Sequence, residues 1–185
     1  MNNKIKFFGY LIDNLSMRET LLKLEEVIMN NERVQHVVIN VAKLINSQKS
    51  YVLKESIESA DIINIDGAGI IYGMKLLSYN PKERVAGIDL MQELIILAEK
   101  KSYSIYFLGA KQMVLNNMLE NFKQKYPSLL IAGSRNGYWD TEDEEKAIVK
   151  EISDLKPNII FVGISSPKKE IFIAKNKDQI NCNII

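Results

Sequence analysis

Cysteine and histidine are almost missing from these 185 residues: Cys182 and His36 stand alone. A single cysteine excludes an internal disulfide and any cysteine-rich zinc site, and it fits a reducing compartment. A single histidine excludes a multi-histidine metal centre. Charge of one sign is also missing, with 24 Lys and Arg against 23 Asp and Glu for a net +1. That balance gives no reason to expect a nucleic-acid partner, whose usual footprint is a strongly basic face. No apolar run approaches the roughly 20 residues that cross a bilayer. The amino terminus, Met1 to Lys6, leads into a short apolar stretch interrupted by Gly9 and Asp13, without a signal-peptide core or cleavage site. The expectation is a cytoplasmic protein. There is no low-complexity linker and no internal repeat. With 46% hydrophobic and 25% charged residues, the length suits one well-buried core, and a second full domain is not expected.

What is present is alternation. Strand-length apolar runs are read at 6–11, 36–40, 62–65, 104–108, 129–132 and 158–163, with 183–185 starting one more. Between them lie helical stretches: 16 to about 29, from about 42, 69–77, 89–100, 111–125, 142–155 and from Pro167. Ser16-Met17-Arg18-Glu19 is a capping box, and Tyr126-Pro127 ends a helix. Asn158 to Gly163, the most apolar strand, is expected to be central. The pattern predicts an α/β fold: a Rossmann-like, mainly parallel sheet flanked by helices, in a single domain.

In such sheets ligands sit beyond the carboxyl ends of the strands. Asn40, Asp66, Gly109 and Gly163 all fall at those ends, so convergence on one rim is expected. Asp66-Gly67 alone is a turn signal; at the end of Ile62-Ile63-Asn64-Ile65 it becomes a carboxylate presented to the rim. Arg84 follows with Glu83, Gly87 and Asp89. A strand-end carboxylate beside a cation is the pattern needed to deprotonate a hydroxyl and hold a phosphorylated leaving group. Each residue also has a plain reading: Arg84 as a surface cation, Glu83 as a partner of a neighbouring helix, Asp89 as a helix cap. Gly109, between a strand and a helix start, suits close approach by a phosphate or simply a tight turn. Ser165-Ser166-Pro167-Lys168-Lys169-Glu170 suits a diphosphate, or a helix capped by Ser166 with two solvated lysines. In Gly137-Tyr138-Trp139 the aromatics either stack on a base or sugar or plug the edge of a core. His36 and Cys182 read as structural.

Taken together, these segments resemble the WecG/TagA/CpsF family of bacterial glycosyltransferases. The matching pieces are Asn40 to Leu44, Ala60 to Ile70, Glu83 to Leu90, Tyr106 to Ala110, Tyr126-Pro127, Gly137-Tyr138 and Pro167 to Glu170, in family order. The combination of the Asp-Gly and Glu-Arg-Val-x-Gly blocks is the specific part. The resemblance implies an inverting enzyme that moves an N-acetylhexosamine-type sugar, N-acetylmannosamine or its uronic acid, from a UDP donor. The implied acceptor is a sugar linked to undecaprenyl diphosphate, in the synthesis of wall teichoic acid, capsule or related envelope polysaccharide. It implies no cofactor and no metal, and no Asp-x-Asp triplet occurs here. It implies Asp66 as general base and Arg84 as the cation on the diphosphate. Asn40, Gly67 and Asp89 are placed around the substrate, and Gly109, Gly163, Pro167, Lys168, Lys169 and Glu170 around the nucleotide.

The chain departs from the family pattern in three places. Val38 stands where threonine is frequent, and Lys169 where glutamine is usual. Beyond Ile185 the pattern runs on through a glycine-rich strand end and an arginine-rich segment associated with the membrane. The expectation is therefore a glycosyltransferase core over 1–185, peripheral at the inner face of the cell membrane through that further segment, with self-association left open. The rival readings are a non-catalytic nucleotide-binding or assembly module and a nicotinamide-dependent enzyme. The missing three-glycine fingerprint speaks against the latter.

Overall fold

A computed structural model describes residues 4–185. The molecule is α/β, with parallel strands flanked by helices as the alternation predicts. It divides into two compact units, the first ending at Gln92 and the second running from Glu93 to Ile185.

The first unit opens with a hairpin rather than the single strand expected over 6–11. Strand β1 (Lys4–Phe7) pairs antiparallel with β2 (Tyr10–Asp13). Phe8 and Gly9, at φ 48° and 92°, make the two-residue connection. A tight hairpin needs positive φ at both central residues, and Phe8 conceals that signal because only Gly9 advertises it. Helix α1 (Met17–Met29) carries the expected capping box on Ser16 and Glu19. Strands β3 (His36–Ile39) and β4 (Ile62–Ile65) pair in parallel, His36 opposite Ile62 and Ile39 opposite Ile65. Their connection holds two helices, α2 (Val41–Lys49) and α3 (Tyr51–Glu58). Ser50, extended at φ −133° and ψ 107°, separates them, and its hydroxyl caps the second by accepting from the Leu53 amide. Helix α4 (Ala68–Leu76) follows β4. Tyr10, Ile12, Ile39, Ile57, Ile65 and Met74 lie at the centre of this unit's core.

All four residues of β4 are buried, Asn64 included. Its amide satisfies that burial through a polar knot: Nδ2 donates to the Asp13 carbonyl, while Oδ1 meets His36 Nε2 at 2.9 Å and the Thr20 hydroxyl at 3.4 Å. The Asp13 carboxylate accepts from the Ile63 amide and pairs with Lys4 and Lys23. A buried polar group is tolerated only with such partners.

Helix α5 (Gly87–Lys101) runs through the boundary residue pair of the two units. In the second unit β5 (Ser104–Gly109), β6 (Leu130–Arg135) and β7 (Ile159–Gly163) form a parallel sheet in the order β6-β5-β7. The central strand is thus β5, not the more apolar β7. β7 instead takes the carboxyl-terminal segment through a parallel bridge between Ile159 and Ile184, as the apolar final residues suggest. Helices α6 (Gln112–Lys125), α7 (Glu142–Leu155) and α8 (Lys168–Asn176) complete the unit. Tyr106 lies across Gly133, where a Cβ would meet its ring at 2.7 Å, and its hydroxyl donates to Glu151 Oε1.

Candidate active site

The rim of the first unit follows from register. Because Ile39 and Ile65 are paired, the next residues, Asn40 and Asp66, leave the sheet side by side. The Asp66 amide donates to the Ile39 carbonyl at 2.8 Å, which fixes its backbone against the end of β3. Gly67 turns the chain at φ 115°, a conformation that side chains disfavour, and a Cβ there would lie 3.9 Å from that of Asn40. Asn40 uses its side-chain oxygen to cap α2 through the Lys43 amide at 2.9 Å. The Asp66 carboxylate is half-buried and takes no part in an ion pair or side-chain hydrogen bond among the described residues.

Arg84 reaches the same rim from the other flank. The Val85 amide donates to the Ile65 carbonyl at 2.8 Å. That carbonyl and the Asp66 amide belong to one trans peptide unit and point in opposite directions, so the Glu83–Ala86 stretch lies on the side of β4 away from β3. Val85 is fully buried there. Arg84 is half exposed and its Nη2 lies 3.4 Å from Asp89 Oδ2. Asp89 sits in the first turn of α5, which begins at Gly87, so it is the arginine's partner rather than the expected cap. Glu83 turns away to accept from the Met17 amide at 2.8 Å, at the start of α1. Asn40, Asp66, Gly67, Arg84 and Asp89 thus share one rim, drawn from three stretches of chain.

The second unit has a rim of its own. Gly109 and Gly163 are register partners at the ends of β5 and β7, and a Cβ on Gly109 would lie 2.4 Å from the Gly163 carbonyl oxygen. The Ala110 amide donates to that oxygen, and the Gly137 amide donates to the Ala110 carbonyl. A Cβ on Gly137 would lie 3.0 Å from the Gly109 Cα. Three strand exits therefore meet at three glycines, packed so closely that a side chain at Gly109 would collide with backbone and one at Gly137 would crowd it. Gly137 was the part of this floor not assigned from sequence; its signal is a glycine just past the end of β6.

Around that floor, α6 starts at Gln112 with no side chain capping its amides. Asn136 bridges to it, donating to Gln112 Oε1 and accepting from the Tyr138 amide. Tyr138 is 63% exposed, whereas Trp139 is 9% exposed. Trp139 plugs the core edge, tilted against Phe172 and donating its Nε1 hydrogen to Glu145. Lys168 lays its ammonium 3.9 Å from the Trp139 ring centroid, a cation–π contact. Lys169 lies within 4.0 Å of the buried Glu170 carboxylate. Ser166 does not cap α8: the cap position is Pro167, and the Lys169 amide donates to the Ser165 carbonyl. His36 is structural as expected: burial, opposed by the Asn64 hydrogen bond, lowers its pKa to about 4. Cys182 is buried and donates to the Ile184 carbonyl.

The model of the family described as "Glycosyl transferase WecG/TagA/CpsF family" matches residues 5–185. A Staphylococcus aureus (strain NCTC 8325 / PS 47) protein, N-acetylglucosaminyldiphosphoundecaprenol N-acetyl-beta-D-mannosaminyltransferase, is 27% identical over 98% of this chain and 71% of its own length. A protein of the same description from strain MRSA252 is similar to the same extent, 27% identical over 98% and 71%. No helix among the described residues is long and apolar enough to cross a membrane.

Proposed function

This chain belongs to the glycosyl transferase WecG/TagA/CpsF family, and from that premise we propose that it moves an N-acetylhexosamine-type sugar from a UDP donor, with inversion, to a sugar carried on undecaprenyl diphosphate. The acceptor follows the printed description of the relatives; the UDP donor follows the family resemblance. In this reaction the acceptor hydroxyl attacks the anomeric carbon and its proton passes to the Asp66 carboxylate. The bond from the anomeric carbon to the diphosphate oxygen breaks, and its electron pair leaves with UDP. General-base help of this kind is worth about 10²- to 10⁴-fold. Arg84, oriented by Asp89, faces the diphosphate. The Asn40 amide group, with its oxygen committed to the α2 cap, offers its NH₂ to the substrate. The nucleotide is assigned to Gly109, Gly163 and the start of α8, with Pro167, Lys168, Lys169 and Glu170. Positive charge and backbone amides, not a metal, stand opposite the leaving group in this reading.

The observation that carries the proposal is the half-buried Asp66, locked at the exit of β4 by its own amide, with the backbone of Val85, next to Arg84, hydrogen-bonded to the Ile65 carbonyl just before it. Asp66→Asn should lower turnover at least 10²-fold while leaving UDP affinity, read by titration calorimetry, within about twofold. Turnover retained in Asp66→Asn removes the residue from the base role. UDP binding without turnover in the unaltered chain, assayed with a lipid-linked acceptor, would favour the non-catalytic module instead.

A further inference from the structure

The first-unit rim opens onto a surface that the proposed chemistry does not use. Helices α2 and α4 both start at the rim, directly after Asn40 and Gly67. Their inner residues, Leu44, Ile70 and Met74, enter the core. Their outer faces are apolar as well: Val41 and Ile45 on α2 are 45% and 50% exposed, and Tyr72 and Leu76 on α4 are 73% and 75% exposed. Each pair is four residues apart and so lies on one helical face. The two faces join, because a Cβ on Gly69 would touch Val41 Cγ2 at 3.0 Å. At Gly73, beside Tyr72, a Cβ would meet nothing within 4 Å, so the outside of α4 is uncovered.

The charge on these helices is one-sided. Neither carries Asp or Glu, and every charged residue on them is a lysine: Lys43, Lys49 and Lys75. Lys43 is buried, while Lys49 and Lys75 are exposed at the last turns. By contrast α7 carries four acidic residues in its first turn alone. Contiguous exposed apolar surface marks an interaction site. Apolar side chains with a tyrosine, flanked by lysines and free of acids, match the headgroup and acyl boundary of an anionic bilayer.

We infer that the outer face of α2 and α4 is a docking surface for an anionic lipid bilayer, which brings a lipid-carried acceptor to the Asp66 rim. The inference rests on the reading above that the acceptor is lipid-linked. The patch would lie against the headgroups with Val41, Ile45, Tyr72 and Leu76 inserted and Lys49 and Lys75 on lipid phosphates. The acceptor sugar, held by its diphosphate at the surface, then needs to pass only the first turns of the two helices.

The test is flotation of the 185-residue chain with vesicles of phosphatidylglycerol and phosphatidylcholine against vesicles of phosphatidylcholine alone, with no donor or acceptor present. The chain should float with the anionic vesicles, and Tyr72→Glu/Leu76→Glu should reduce the bound fraction at least fivefold. Lys49→Gln/Lys75→Gln, milder for folding, should reduce it at least twofold and make it less sensitive to salt. Circular dichroism checks that both variants keep the helical content of the unaltered chain. Equal flotation of the Tyr72→Glu/Leu76→Glu variant and the unaltered chain overturns the proposal. So does absence of flotation combined with a dimer in sedimentation velocity that the same pair of substitutions dissociates, since a second copy would then cover the face. The readout is independent of catalysis: if Asp66→Asn keeps full turnover but flotation behaves as stated, the base assignment fails and the docking surface stands.

Discussion

Gly109 and Gly163 are register partners, yet the two positions differ in what they tolerate. At Gly109, φ is 145° and a Cβ would lie 2.4 Å from backbone oxygen that cannot move without breaking the β5–β7 pairing. At Gly163 the nearest atoms to a Cβ are 3.8 Å away, ordinary contact. Gly109→Ala should therefore destabilise the fold by about 2 kcal/mol or more, and Gly163→Ala by less than about 1 kcal/mol. Urea unfolding of the two variants makes the comparison, and equal losses would show that the rim relaxes freely. His36 offers a second test at this scale. Burial holds its imidazole neutral, with a pKa of about 4, against about 6.5 in an unfolded chain. The unfolded state therefore binds the proton first as pH falls. His36 contributes stability that is complete above about pH 6.5 and is lost between there and about pH 4, up to a few kcal/mol. His36→Gln, which keeps an amide within reach of Asn64, should flatten that part of the stability profile; an unchanged pH dependence would contradict the cause assigned here.

At the scale of elements, local signals were legible wherever a side chain acts on its own neighbourhood. The box at Ser16 was readable because cap and carboxylate are three residues apart, and both bonds form: Ser16 Oγ accepts from the Glu19 amide, and Glu19 accepts from the Ser16 amide. Lys82, 63 residues away, then binds Glu19 through Oε1, a link with no sequence signature. That hydrogen bond first, and the Ser16 amide second, lower the Glu19 carboxyl to about 2. Ser16→Ala should cost about 1 kcal/mol, measured by denaturant midpoint at pH 7. The Glu19 contribution is present above about pH 4.5 and fades as pH falls toward 2, so the capping box weakens in strong acid. The hairpin at Phe8-Gly9 and the break at Ser50 escaped the sequence for the opposite reason. Phe and Ser have ordinary propensities, and it is the pairing of Phe7 with Tyr10 and the end of α2 that impose their conformations. The Glu83 contact is similar: the sequence suggests a helix partner, but not that the partner is the α1 amide at Met17.

At the scale of the molecule, the strand-end rule pairs the strand-end candidates within each unit, because parallel pairing aligns carboxyl ends whatever the strand order, but the single rim it led one to expect is two edges on separate sheets. Asn40 and Asp66 leave one sheet together, and Gly109 and Gly163 leave the other together. Centrality was only partly legible: β7 is the more apolar run, but β5 has a full strand on each side, whereas β7 has a full partner in β5 and only the Ile159–Ile184 bridge on its other side. Apolar content measures burial, and the bridge from Ile184 helps to bury β7 without making it central. The polar knot on Asn64 was hidden too, since a buried Asn inside an apolar strand reads as noise until Asp13, Thr20 and His36 gather on it.

The division of candidate residues between the units leads to a prediction about the whole chain. The proposed base and diphosphate cation, Asp66 and Arg84, belong to the first unit, while the groups assigned to the nucleotide, from Gly109 to Glu170, belong to the second. Lys168 is held by Trp139 through the ring face and the backbone carbonyl, so a nucleotide phosphate must compete with a cation–π contact worth roughly 0.5–2 kcal/mol. Lys168→Ala should therefore weaken UDP binding by a modest factor, about three- to tenfold, because part of the lysine's attraction is already spent on the ring. Trp139→Phe removes the indole hydrogen bond to Glu145 and leaves a poorer cation partner, so it should loosen Lys168 and bind UDP as well as or better than the unaltered chain. Titration calorimetry on folded variants separates these outcomes. A Lys168→Ala chain with unchanged UDP affinity would assign Lys168 to holding Trp139 alone, and would leave the nucleotide to the glycine floor and the free amides of α6.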